Sequence, residues 1–261
     1  MGKIFTCAIF LIALVAATHC VAGTGKALGA TPVHVLFIGN SFTMFNDMPR
    51  TVASMGRSLG HDLIVEVCAV GGKGFAYHRQ SAVTLQVIDS APWDVVILQD
   101  HSRAPSQRPE IIRQSSLPDA IFLVQYIWKN HAATRIIYYE TWGHRDGDLA
   151  HCLNFPEICT FKKHTSALQK GYRMYRKATG GIISHVGTNW QHVVKDTAAN
   201  RPFAASSLWL NDSAHPSSLG SYLAAATILK SIINAPVGAS NYNAELPPDI
   251  AKYLRQVADA H

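Results

Sequence analysis

The stretch His34-Val-Leu-Phe-Ile-Gly-Asn-Ser-Phe-Thr43 decides how this chain is read. Val33 to Ile38 is a short apolar run rich in β-branched residues, the composition of a strand buried on both faces. It stops at Gly39-Asn40-Ser41, and a helix signal follows, with Asp47 as its N-cap and Pro49 in its first turn. Ser41 is therefore expected where a buried strand turns towards a helix. In open α/β sheets, ligands bind beyond the carboxyl ends of the strands. A serine in that place holds its hydroxyl in a cleft with helix-terminus amides nearby, the setting that a nucleophile needs.

The other end of the chain supports this. Leu210-Asn-Asp-Ser-Ala-His-Pro-Ser-Ser-Leu-Gly220 places Asp212 and His215 three residues apart, just ahead of an apolar helical pattern. A catalytic serine needs a base to take its proton, and the base needs a carboxylate to hold its tautomer. One loop presenting Asp-x-x-His supplies both. Gly39-Asn-Ser41 followed far downstream by Asp212-x-x-His215 resembles the SGNH (GDSL-like) hydrolase family, over roughly residues 33–235. The resemblance implies a three-layer, flavodoxin-like α/β/α sandwich and ester hydrolysis through a Ser-His-Asp triad of Ser41, His215 and Asp212.

Five runs read as central strands of a mostly parallel sheet: Val33–Ile38, Leu63–Val67, Val95–Leu98, Arg135–Tyr139 and Gly181–His185. Helical patterns alternate with them. Val52, Met55 and Leu59 share a face before Gly60; Ser81–Ile88 is a short candidate; Ser116 caps a helix running through Ile121–Trp128. Lys163–Lys177 stops at Gly180-Gly181, and Ser217–Ile233 and Pro248–Ala258 close the chain. Trp142–Thr160 is the longest irregular part and reads as an insertion above the site.

Two further strand ends carry candidate site residues. The second ends in Ala69-Val-Gly-Gly-Lys-Gly74, which lacks the spacing of a phosphate-binding P-loop. In the resembled family a glycine here gives its amide to the oxyanion hole; Gly72 is the assignment, with Gly71 as the alternative. The third strand ends in Gln99-Asp-His101, where the family has Gly-x-Asn-Asp. Gln99 then stands in for the usual Asn as a third donor, alongside the amides of Ser41 and Gly72, as in a branch of the family with Gln at this position. Asp100 and His101 are expected on the rim. Trp142 and Trp190 are read as aromatic walls of the substrate pocket, with His101 as a further contact.

Composition bounds the rest. The 261 residues suffice for one sizeable α/β domain, assigned to 32–261. Residues 1–22 read as a cleaved secretory signal, with Lys3, the apolar run Ile4 to Ala17 and a Cys20-Val-Ala22 cleavage site; 23–31 read as a flexible leader. The expected location is therefore secreted or periplasmic, with no stable membrane insertion. Export permits a disulfide, and Cys152 and Cys159 flank a short irregular loop, whereas Cys68 reads as a buried free thiol. Loss of the signal leaves 22 basic against 17 acidic residues, scattered rather than clustered, which excludes nucleic acid as the main partner. His144-Arg-Asp-Gly-Asp-Leu-Ala-His151 matches no calcium or zinc pattern and reads as a solvated loop. The formal sequon Asn211-Asp-Ser213 overlaps Asp212 and is expected to stay unmodified.

The functional expectation is an exported serine esterase that needs no cofactor or metal. Its substrate would be a small ester, of the carbohydrate O-acetyl type that the resemblance implies. The alternatives are an O-acyltransferase acting on glycans and a catalytically impaired carbohydrate-binding relative.

Overall fold

The computed structural model describes residues 31–196 and 201–260. The expected signal and the leader up to residue 30 lie outside the described residues. The sheet has five parallel strands: β1 (Val33–Gly39), β2 (Leu63–Ala69), β3 (Val95–Leu98), β4 (Arg135–Tyr139) and β5 (Ile182–Ser184). Their spatial order is β2-β1-β3-β4-β5, and every pair is parallel. This is the doubly wound arrangement expected from the strand–helix alternation, with its switch point at β1.

Alternation along the strands builds two cores. Val35, Phe37, Val95, Ile97, Ile137 and Tyr139 point to one face; Leu36, Ile38, Val96, Leu98, Ile136 and Tyr138 point to the other. The helices are α1 (Ser41–Met44), α2 (Met48–Ser58), α3 (Phe75–His78), α4 (Ala82–Asp89) and α5 (Pro109–Gln114), then α6 (Ser116–Asn130), α7 (Phe161–Thr179), α8 (Val186–Lys195), α9 (Ser218–Ile233) and α10 (Pro248–Ala260). α2, α8, α9 and α10 cover the first face, with Met48, Val52, Met55, Trp190, Leu223 and Leu254 among the buried side chains. α3, α4, α6 and α7 cover the second, with Phe75, Ile88, Leu123, Ile127, Leu168 and Tyr175. β3, and β1 from Val35 to Ile38, are apolar because both faces are covered there.

Helix ends follow local chemistry. Ser81, Thr160 and Ser217 cap α4, α7 and α9 through their hydroxyls. Gly180, at φ 75°, closes α7 in the left-handed conformation expected of a glycine stop. Two capping expectations are corrected. Ser115 rather than Ser116 occupies the cap position of α6, because α5 runs directly into it. Asp47 occupies the cap position of α2 but sits at φ 48° and makes no side-chain cap bond. Between β1 and α2 the chain has already made one helical turn, α1, with Ser41 as its first residue.

Cys152 and Cys159 are disulfide-bonded, and Cys68 is a buried free thiol beside Thr84. Among the described residues no helix is long and apolar enough to cross a membrane.

Candidate active site

Ser41, Gly72 and His101 follow the carboxyl ends of β1, β2 and β3, three neighbouring strands. The Ser41 turn is fixed by Asn40. Its side-chain oxygen accepts from the Phe42 amide at 3.1 Å and so caps α1, while its Nδ2 donates to the Lys73 carbonyl at 2.7 Å. One buried amide thus ties the Ser41 turn to the glycine loop. As the first residue of a helix, Ser41 presents an amide with no intrahelical acceptor.

The Asp-x-x-His loop completes a chain of contacts. Ser41 Oγ lies 2.9 Å from His215 Nε2, and His215 Nδ1 lies 2.6 Å from Asp212 Oδ2. The other oxygen, Asp212 Oδ1, accepts from the amides of Ala214 and His215, each at 2.9 Å. Partial burial pushes the Asp212 carboxyl up, but those two amides and the imidazole outweigh it and hold it below its ordinary value. An ionised Asp212 beside Nδ1 keeps the Nδ1–H tautomer, which leaves Nε2 free to accept the serine proton. The imidazole is stacked on Phe45 (centroids 4.5 Å apart) and edge-on to Phe42 (5.4 Å).

The tryptophans stand one layer back. Trp142 and Trp190 are fully buried and stack on each other at 3.8 Å, and Phe42, which stacks on Trp142 at 4.8 Å, stands between Trp142 and the His215 ring. They are core, and the expectation of two pocket walls is corrected. Trp190 is seated on Gly220 of α9, where a Cβ would come within 2.3 Å of its ring. Trp142 Nε1 donates to the Ala214 carbonyl at 3.0 Å and so supports the His215 loop.

Gln99 is also placed differently from expectation. It is wholly buried, and its Oε1 accepts from the Asn40 amide and from Thr43 Oγ1, both at 2.9 Å. Its Nε2 donates to the Asp100 carbonyl. Both ends of the side-chain amide are engaged inside the protein, and the residue does not line the cleft over Ser41, so it stands behind the nucleophile candidate rather than facing an oxyanion. Asp100, expected on the rim, is buried as well. It accepts from the amides of Phe75 and His101 and from the Tyr175 hydroxyl at 2.7–2.9 Å. Burial raises its carboxyl to about 6, against those donors.

The cleft over Ser41 has a volume of about 370 Å³. Asn40, Ser41, Phe42, Gly72, Ala214 and His215 form its floor and near wall; His101, Ser102, Arg103, His144, Asp148 and His151 form the far wall. Gly72 sits at φ 68°, with open space where a Cβ would be. The 144–151 run is therefore not the solvated loop that its composition suggested. Asp148 is buried and bonded to His151 Nδ1 at 2.9 Å, with Arg103 Nε 3.6 Å away. Buried His164 joins the two halves of this wall: its Nε2 donates to the Ser102 carbonyl, and its Nδ1 accepts from the His144 amide, both at 3.3 Å. Burial pushes His164 down to about 4. Sequence reasoning missed Asn40, Phe45, Arg103 and Asp148; a charged, histidine-rich run inside a chain already carrying Ser-His-Asp was the available signal. Among the described residues no group of three or more His, Cys, Asp or Glu side chains is arranged to hold a metal ion.

No protein-family model and no curated protein matches the chain. Solved structures do. A DUF4886 family protein from Bacteroides uniformis superposes with a TM-score of 0.74 at 18% identity, over 88% of this chain and 94% of that one. A protein from Slackia heliotrinireducens described as an SGNH hydrolase superposes with a TM-score of 0.61 at 22% identity, over 77% of this chain and all of its own. The fold is that of the SGNH hydrolases. The esterase EstA of a Pseudoalteromonas species, solved inhibited by monoethylphosphonate, shares this SGNH-type fold at a TM-score of 0.54 and 11% identity, over 77% of this chain and 97% of its own.

Proposed function

We propose that the protein is a serine ester hydrolase in which Ser41 attacks an ester carbonyl, His215 takes its proton, and Asp212 orients His215 and stabilises its cation. The observation that carries this reading is the continuous contact chain Ser41 Oγ, His215 Nε2, His215 Nδ1, Asp212 Oδ2 at 2.9 and 2.6 Å. As Oγ bonds to the carbonyl carbon, negative charge gathers on the carbonyl oxygen, where the amides of Ser41 and Gly72 serve as donors. Collapse expels the alcohol, which receives its proton from His215. Water then attacks the acyl-enzyme by the same route, with His215 again as base. Ser41, His215 and Asp212 supply the nucleophile, the base and the orienting carboxylate, so the reaction needs no cofactor.

The cleft supports a short acyl group on a hydroxyl-rich alcohol. Among the described residues its apolar lining side chains are Phe42, Ala150 and Ala214, too few to hold a long acyl chain. The imidazoles, guanidinium and carboxylate on the far wall suit the hydroxyls of a sugar. The substrate we propose is therefore a small O-acyl ester of carbohydrate type, acted on outside the cytoplasm as the signal-like segment at 1–22 implies. The test is hydrolysis of p-nitrophenyl acetate and of acetylated polysaccharides by wild type and Ser41→Ala, with fluorophosphonate labelling of both. Activity and labelling should be lost together in Ser41→Ala at unchanged Tm. Labelling that persists in Ser41→Ala would refute the assignment, and a preference for esters of eight or more carbons would refute the substrate class.

A further inference from the structure

The displacement of Gln99 leaves the oxyanion site with two backbone donors and an open question: which side chain completes it. Asn40 Nδ2 is turned to the Lys73 carbonyl at 2.7 Å and the Asp100 carbonyl at 3.5 Å, and Gln99 is wholly buried, outside the lining of the cleft. His101 remains. It lines the same cleft as Ser41 and Gly72. It also packs directly on the glycine loop: a Cβ on Gly74 would lie 2.9 Å from both the Cβ and the amide nitrogen of His101. That amide donates to Asp100 Oδ1 at 2.8 Å, which anchors the residue to a buried carboxylate.

The ring's own bond fixes its proton. His101 Nδ1 accepts from the Arg103 amide at 3.2 Å. An accepting ring nitrogen is unprotonated, so the single proton of the neutral imidazole sits on Nε2, at the outer end of the ring. We infer that His101 is the third oxyanion donor, giving its Nε2–H to the carbonyl oxygen as Ser41 attacks. The inference rests on the serine-hydrolase reading. His101 neither gains nor loses a proton in the step: the Oγ–C bond forms, the carbonyl π pair moves to oxygen, and the serine proton goes to His215. Burial, assisted by the positive charge of Arg103, holds the His101 imidazole below its ordinary value, which keeps the ring in its neutral, singly protonated form at pH 7. A contact that strengthens only as charge builds on the oxygen acts on kcat, whereas a contact to a substrate hydroxyl acts on KM.

The experiment compares wild type with His101→Ala, His101→Phe and His101→Gln. It measures kcat and KM on p-nitrophenyl acetate, the rate of fluorophosphonate labelling at Ser41, and Tm. His101→Phe keeps a ring without a donor, and His101→Gln restores an N–H, so this pair decides the matter if the alanine variant loses its loop. The expected result is a fall in kcat of about 100- to 1000-fold in the alanine and phenylalanine variants, KM within a few-fold, labelling slowed in parallel, and recovery of about tenfold or more in the glutamine variant. Unchanged kcat, an effect confined to KM, or a glutamine variant no better than phenylalanine would overturn the inference while leaving the serine-hydrolase reading intact. Wild-type protein that neither labels at Ser41 nor hydrolyses any ester would overturn both.

Discussion

Replacing Gln99 tests whether its side chain holds the nucleophile turn together rather than touching substrate. Its Oε1 is the shared acceptor for two buried donors, the Asn40 amide and Thr43 Oγ1. Gln99→Met keeps nearly the same volume but removes that acceptor, stranding both donors. A buried donor left without a partner costs about 1–3 kcal/mol, so two give about 2–6 kcal/mol, less whatever the loop regains by relaxing. Gln99→Ala adds a cavity beside Gly39, where the side chain now packs so closely that a Cβ would meet Oε1 at 2.6 Å. The expectation is a loss of about 2–4 kcal/mol for Gln99→Met, and more for Gln99→Ala. Urea unfolding followed by fluorescence and far-ultraviolet circular dichroism measures it, with the m-value checked for constancy. If Gln99→Met is within 1 kcal/mol of wild type while kcat falls 100-fold or more, the amide faces the ester and the positioning argument is wrong.

Other outcomes follow from the same geometry. Asp212→Asn keeps an oxygen for the Ala214 and His215 amides but turns an NH2 towards Nδ1, which forces the wrong imidazole tautomer; kcat should fall about 10⁴-fold with Tm nearly unchanged, read from steady-state kinetics and a thermal melt. Cys152→Ser should cost about 2–3 kcal/mol of unfolding free energy in urea, because the bond closes a short loop, and should raise KM more than it lowers kcat, since that loop holds its two cleft neighbours: the Asp148 amide donates to the Ile158 carbonyl and the Phe155 amide to the His151 carbonyl. Asp100 is raised to about 6 from an ordinary 3.8, so the folded state binds more protons than the unfolded between those values, and stability falls as pH rises through that window before levelling above it. Relative to wild type, Asp100→Asn should therefore gain on the order of 3 kcal/mol between pH 4 and pH 7; an identical stability difference at both pH values in urea titrations would contradict it.

The strands were legible because burial on both faces leaves continuous apolar runs: Val95–Leu98 and Arg135–Tyr139 lie in the structure residue for residue as read. That Ser41, Asp212 and His215 lie together was legible because Ser41 follows the first strand and Asp212-x-x-His215 sits in the loop ahead of α9, two places that an open α/β sheet brings to the same edge. What failed depends on contacts remote in sequence. α8 is not legible because Val186–Lys195 mixes Gly187, Thr188 and Asn189 into its first turns, and without that helix nothing in the sequence marks Trp190 as core rather than pocket wall. Its true seat is Gly220, thirty residues on. Gln99 was misread because a strand-end side chain has a choice of partners, and only the fold brings Asn40 and Thr43 close enough to take both. His144 to His151 read as solvated because the sequence gives no sign that Asp148 is buried beneath Arg103 and His151.

Asp212 grips the backbone of its own loop as well as the ring of His215. The acid and the base therefore travel as one piece, whatever that loop does. The segment after β4 is one of its fastenings: the Arg145 amide donates to the Ser213 carbonyl at 2.7 Å, Ser213 Oγ donates to Asp146 at 2.7 Å, and Trp142 holds the Ala214 carbonyl. This piece meets the Ser41 side through the Ser41 Oγ to His215 Nε2 contact and through the Phe42 and Phe45 rings, and its seat is set in part by a stretch of chain containing none of Ser41, Asp212 and His215. On the proposed mechanism, sequence drift in 142–146 would shift His215 against Ser41 without touching either residue, so keeping Ser41, Asp212 and His215 is not by itself enough to keep their geometry.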